Sequence, residues 1–123
     1  MEESPFKGRT GLPRLINAIN YSLQGFCEAF RLEDAFRQEV ALTLVLTPLA
    51  FWLESSGPGR AMMIASLLLV LVVELVNSAI EATVDRISLE NHHMAKRAKD
   101  IGSAAVMLSL INVCVVWSLI LLA

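Results

Sequence analysis

Glu74, Asn77, Glu81 and Asp85 are spaced 3, 4 and 4 residues apart in the stretch ELVNSAIEATVD, residues 74–85. At about 100° per residue, a helix brings all four within roughly 60° of one face. Ser78 lies beside them, while Leu75, Val76, Ala79, Ile80, Ala82 and Val84 take the other faces. The stretch follows AMMIASLLLVLVV, which carries no charge. A charged residue at the centre of a membrane helix costs about 2.5–3.5 kcal/mol. Ionisable groups held there face a bundle interior or a wet cavity and have a functional reason. Helix–helix glue, or a structural pair with Arg or Lys, is the plainer account. Several aligned acids reaching one interface exceed what glue needs.

Depth sharpens the reading. A rise of about 1.5 Å per residue puts Glu74 roughly 21 Å and Glu81 roughly 31 Å along the helix from Arg60. The hydrocarbon core is about 30 Å thick. Glu74 is therefore expected inside the apolar zone, Glu81 near its boundary and Asp85 just outside. A partly desolvated carboxylate suits a general base near neutral pH. Asn77, one turn on, can orient a carboxylate or a substrate hydroxyl. Glu81 and Asp85 at the water boundary could hold a hard cation such as Mg²⁺, and Glu33 could join them from another helix. The run AKRAKD supplies Lys96, Arg97 and Lys99 for phosphate oxygens. Acids, metal-type carboxylates and cations at one membrane face point to phosphoryl chemistry on a lipid. No Walker A motif or protein-kinase glycine loop is present. His92 and His93 are adjacent on a solvated loop, an arrangement that rarely chelates.

The elements that must position these residues follow from composition and periodicity. The chain of 123 residues is sized for one domain. Hydrophobic residues make up 55% and mean hydropathy is +0.59, both high for a soluble globule. Charged residues are 18% and sit in blocks, and a net charge of -2 offers no field for nucleic acid. Residues 1–11 read as a polar tail. Over 12–31, Leu12, Leu15, Ile16, Ile19, Leu23, Phe26, Cys27 and Phe30 follow one helix face, with Arg14, Asn17, Gln24, Glu28 and Arg31 opposite. This predicts an amphipathic helix in the membrane interface. Membrane spans are expected at about 35–53, 61–84 and 101–123. The first needs AFRQE to reach the length of about 20 residues that a bilayer demands. ESSGPG is a turn, and 85–100 is a charged connection. Ser109 and Asn112 are expected to bond between helices. Cys27 and Cys114 read as small hydrophobes. The first 30 residues lack an apolar run with a small-residue cleavage site, so no cleavable signal peptide is expected.

Topology follows from the basic residues. All but Arg60 of the ten lie before the uncharged part of the first span, which begins at Val40, or between the second and third spans. The positive-inside rule puts the N-terminus and the 85–100 loop in the cytoplasm. The predicted class is an all-α integral membrane protein.

ELVNSAIEATVDRI resembles the E-x-x-N-S-x-x-E-x-x-x-D pattern of the small membrane-integral diacylglycerol kinases of bacteria. EDAFRQE (33–39), RAKDIGSAAV (97–106) and NYSLQG (20–25) are similar to other stretches of that family, in its order. The resemblance covers almost the whole chain after residue 10. It implies one kinase domain over 12–123, built as a homotrimer with a surface helix and three transmembrane helices per subunit. It implies MgATP-dependent phosphorylation of diacylglycerol to phosphatidic acid in the bacterial inner membrane. Carried over by motif, Glu74 would be the base and Asn77 its support, with Glu33 and Glu81 holding Mg²⁺. Lys99, Asp100, Glu90, Asn91 and His92 would meet ATP, with Arg14 and Tyr21 closing over it. Gln38, Glu39 and Ser103, with Arg14 and Glu74, would lie at the lipid site. Sites would form between subunits. The chain departs from the family pattern at His93 and Lys96.

Two other readings compete. A kinase for undecaprenol or another lipid alcohol would share the same ladder. A channel or assembly subunit would need polar residues to continue toward the far side. Between Ala61 and Val73 there is only Ser66, which argues against an ion path.

Overall fold

The computed structural model describes residues 10–87 and 93–123. Four helices account for nearly all of them: α1 (Leu12–Leu32), α2 (Asp34–Leu53), α3 (Gly57–Ile87) and α4 (His93–Leu122). Among the described residues there is no strand. Two helices, α3 and α4, are long and apolar enough to cross a membrane. Helix α2 has 20 residues and opens on Asp34, Arg37 and Glu39.

Helix α1 begins where Gly11, at φ 75, turns the chain and Pro13 fills the first turn. Its apolar stripe is as periodicity predicts. Leu15, Ile16, Ile19, Leu23, Phe26 and Phe30 are all exposed, and only Ala29 is buried. The chain itself therefore leaves this face uncovered. One extended residue, Glu33 at φ -115 and ψ 112, separates α1 from α2. Arg37 fixes this corner: its Nη1 donates to the carbonyls of Phe30 and Arg31, each at 2.8 Å, and its Nη2 meets the Asp34 carboxylate. These carbonyls are orphans of the last turn of α1, so a cation placed there completes the helix end.

The α2–α3 turn repeats the device. Arg60 Nε donates to the Glu54 carbonyl at 2.5 Å and Nη2 to that of Phe51 at 2.8 Å. Its guanidinium also lies 5.0 Å from the Phe51 ring centroid. Helix α3 starts earlier than expected, at Gly57 rather than near Ala61. Ser56 is its cap, accepting from Gly59 N at 3.0 Å, and Pro58 costs the first turn no hydrogen bond. A Cβ on Gly59 would come within 2.7 Å of Ser56 Oγ and 2.8 Å of Glu54 Cγ, so the tight turn requires glycine. Helix α3 also runs on through Ile87, and α4 starts at His93. Of the expected charged connection over 85–100, the described residues 85–87 and 93–100 are thus helical. Lys96 and Asp100, paired at 2.6 Å four residues apart, belong to the first turns of α4.

The buried seam runs along α3 through Gly59, Met63, Ser66, Leu67, Val70, Glu74 and Asn77, and α4 packs on α3 most extensively. At the apolar end, Trp117 Nε1 donates to the Met63 carbonyl at 3.2 Å, tying α4 to α3. Ser109 is buried, but its hydroxyl returns to the Val106 carbonyl of its own helix at 2.6 Å. The expectation that Ser109 bonds between helices is therefore corrected. A hydroxyl three residues from a carbonyl on the same helix is satisfied locally.

Candidate active site

Toward the C-terminal half of α3 the seam changes from apolar to polar. Glu74 and Asn77 are 5% and 7% exposed, as buried as the leucine and valine preceding them. Asn77 Nδ2 donates to Glu81 Oε1 at 3.2 Å, linking two rungs of the ladder one turn apart. Asp85, the outermost rung, pairs with Lys99 of α4 at 2.6 Å. Within the chain Asp85 is thus an ion-pair partner. Hydrogen bonding to Asp85 holds the Lys99 ammonium above its ordinary value, and the charges of Asp85 and Glu81 act in the same sense. Lys99 therefore hangs over the outer half of the ladder as a fixed cation.

Glu74 lies within electrostatic reach of Glu33, Glu39 and Glu81, so α1–α2 and α3 contribute to one acidic cluster. Glu33 comes from the corner that Arg37 fixes. Glu39 reaches the cluster from α2, and its Oε2 is buried with no hydrogen-bond partner. The structure thus brings together Glu33, Glu39, Glu74, Asn77, Glu81 and Lys99. Asp100 is near them in sequence but is paired with Lys96. Arg14, Tyr21, Gln38 and Ser103 are exposed, and their side chains make no hydrogen bond or ion pair among the described residues. Glu90, Asn91 and His92 lie outside the described residues. No group of three or more His, Cys, Asp or Glu side chains among the described residues is arranged to hold a metal ion alone. The carboxylate oxygens of Glu33 and Glu81 are hard donors. They fit a Mg²⁺ bound through one or two carboxylates and completed by substrate phosphates.

A cavity of about 460 Å³ opens between α1 and α3 beside this cluster. Gly25, Phe26, Ala29 and Leu32 line one wall and Leu75, Ala79 and Ala82 the other, with Ser22, Glu28, Glu33 and Ser78 as polar points. Sequence reasoning missed it. Its signal was there in the small residues Gly25 and Ala29 on α1, matched by Ser78 and Ala82 on α3, each pair one turn apart.

These features define, over the described residues, an all-helical protein with two helices of membrane-spanning length and an acidic cluster where its apolar seam turns polar. Residues 20–121 match the family model described as prokaryotic diacylglycerol kinase. The chain is 60% identical over 122 residues to the diacylglycerol kinase of Pseudomonas aeruginosa, covering 99% of each chain. It is 50% identical over 112 residues to that of Haemophilus influenzae, covering 91% of this chain and 95% of the other. For that of Escherichia coli strain K12 the identity is 45% over 112 residues, covering 91% and 92%. The chain belongs to the prokaryotic diacylglycerol kinase family.

Proposed function

We propose that this protein is an ATP-dependent kinase that phosphorylates diacylglycerol to phosphatidic acid, with Glu74 as the general base. The observation that carries the site assignment is Glu74 itself. It is a carboxylate 5% exposed, at the level where the apolar seam ends and the polar ladder begins. In the reaction, Glu74 accepts the proton of the diacylglycerol hydroxyl as its oxygen bonds to the γ-phosphorus and the bond to ADP breaks. Asn77 holds the Glu81 carboxylate in place. Glu33 and Glu81 would hold the Mg²⁺ that arrives with ATP, which supplies charge neutralisation on the phosphates. Lys99 adds a fixed positive charge at the mouth, and the rest of the catalysis is positioning.

The cavity between α1 and α3 suits the glyceride body of the lipid. Its walls are mostly apolar, and Ser22, Glu28, Glu33 and Ser78 stand at its polar points. The exposed face of α1 suits the membrane interface beside it. Residues 12–123 form one kinase domain in this reading. Helix α2 is the third membrane span, about 30 Å long at 1.5 Å per residue. The positive-inside rule places the N-terminus and the 85–100 segment at the cytoplasmic face of the inner membrane. The functional unit is a homotrimer with sites between subunits. The outward exposure of Arg14, Tyr21, Gln38 and Ser103 supports that reading, since a second copy can bring such residues to the ladder. Lys99, Asp100 and the segment containing Glu90, Asn91 and His92 then frame the nucleotide.

The test is direct. Purified protein in mixed micelles with MgATP is given diacylglycerol and undecaprenol in parallel. Phosphatidic acid is the expected product. Phosphorylation of undecaprenol with none of diacylglycerol would overturn the substrate assignment, and ion flux without ATP turnover would overturn the kinase reading.

A further inference from the structure

We propose that Gly102 is a positioning residue, whose missing side chain sets Asn77 and, through Asn77, the Glu81 carboxylate. The inference rests on the kinase reading for its functional consequence, but its geometry stands apart from it. Asn77 is 7% exposed, and its Oδ1 is buried with no N–H or O–H partner. Gly102 of α4 is itself buried against it. A Cβ built on Gly102 would fall on Asn77 Oδ1, and would stand 3.2 Å from Asn77 Cγ. A Cα–H therefore faces the amide oxygen, a weak contact that no other residue could offer at this distance. On the other side, Asn77 Nδ2 donates to Glu81 Oε1. The amide cannot turn over, because its oxygen would then face the Glu81 carboxylate.

The close approach has a second effect. Lys99 is three residues before Gly102, hence on the same face of α4, and it reaches Asp85 at 2.6 Å. One glycine thus allows α4 to come near enough to α3 for Asn77 to be clamped and for Lys99 to cover the ladder. A methyl group there must either rotate Asn77 away from Glu81 or push α4 outward. Both changes fall on the side of the site that meets nucleotide and metal, away from the cavity between α1 and α3.

The experiment is a double-mutant cycle with Gly102→Ala, Asn77→Ala and the pair. Its readouts are the thermal-unfolding midpoint in detergent without nucleotide, and Mg²⁺-dependent binding of a fluorescent ATP analogue. Gly102→Ala alone should lower the midpoint and weaken analogue binding at least tenfold, with the KM for diacylglycerol changed less than twofold. In the Asn77→Ala background, Gly102→Ala should leave the midpoint unchanged or raise it, since alanine is the better helix former. It should also change analogue binding less than twofold. Equal losses in both backgrounds, or wild-type analogue binding in Gly102→Ala, would overturn the proposal. If Gly102→Ala does not fold, the double variant must fold, and its failure would also overturn the proposal. Loss of the kinase reading would show instead as an inactive wild type, with the cycle on the midpoint still readable.

Discussion

Arg37 and Arg60 make a matched pair, and replacing each by alanine separates support of the fold from support of the site. Each guanidinium donates two hydrogen bonds to carbonyls at the C-terminal end of the preceding helix, the last turn or the residue that caps it. A net value of about 1.5–3 kcal/mol applies to a hydrogen bond from a charged group. The Arg37 side chain is 38% exposed, so the lower end of that range applies to it. Its added pair with Asp34, 86% exposed, is worth at most about 1 kcal/mol. Arg60 has instead its cation–π contact with Phe51, worth about 0.5–1 kcal/mol. The Arg60 bond to Phe51 is also exposed, so the lower end applies there too, and both variants should lose about 3–4 kcal/mol of stability, by similar amounts.

Their effects on activity should differ. Arg37 fixes the corner carrying Glu33, which enters the acidic cluster, whereas Arg60 closes the opposite end of the bundle. Measured at a temperature where both remain folded, Arg37→Ala should lower kcat/KM for MgATP at least tenfold, and Arg60→Ala should keep it within about twofold of the wild type. Lysine at either position should restore part of the stability, as a point charge without the planar fork. Unfolding midpoints in detergent and initial rates in mixed micelles provide the two measurements. Equal activity losses in both alanine variants would refute the reasoning, because the Glu33 corner would then have no specific part in the site.

Glu74→Gln should lower kcat between about 10²- and 10⁴-fold, the range for a general base. Its unfolding midpoint should stay or rise, since one of the mutually repelling carboxylates around Glu74 is gone; a full rate would remove Glu74 as base. Asp85→Asn tests the cation at the mouth through pH. The ordinary Lys99 value of 10.5 is raised in the folded protein, first by hydrogen bonding to Asp85, so the pair's contribution is complete below 10.5 and is lost as pH rises through the higher folded value. Removing the partner should leave MgATP binding flat from about pH 6 to 9 and move its alkaline loss to lower pH; an unmoved alkaline limb would separate Lys99 from nucleotide binding.

Periodicity alone placed the ladder. The 3, 4, 4 spacing of Glu74, Asn77, Glu81 and Asp85 puts them on the face that α3 buries, and Glu74 and Asn77 are buried there. Helix α1 was equally legible, because its apolar stripe has no breaks between Leu12 and Phe30. Helix ends were harder to read. Gly57, Pro58 and Gly59 look like a turn in sequence, yet Ser56 caps them into the first turn of α3. The charged run after Asp85 looks like a loop, yet Lys96 and Asp100 are spaced to pair on a helix. Least legible were relations between elements. Nothing in the run AFRQE says that Arg37 reaches back to Phe30. Nor does GSAAV reveal that Gly102 lies against Asn77. Those facts depend on where two helices meet, which local pattern does not encode.

In the proposed mechanism, Asp85 is useful without touching substrate. Glu33, Glu39, Glu74 and Glu81 act on one another, and triphosphate is itself an anion. Such a site would repel its nucleotide unless positive charge were already in place. Among the described residues, Lys99 is the cation brought to the ladder, and on an exposed helix start it would otherwise sample many rotamers. Asp85 holds it at the outer edge, charged and oriented, about one turn from Glu81. The pair is exposed and of little value for folding. Its contribution is placement, since an ammonium fixed at the entrance can exchange a carboxylate for phosphate oxygens without crossing the acidic cluster. The carboxylates deeper in remain available for the metal and for the proton.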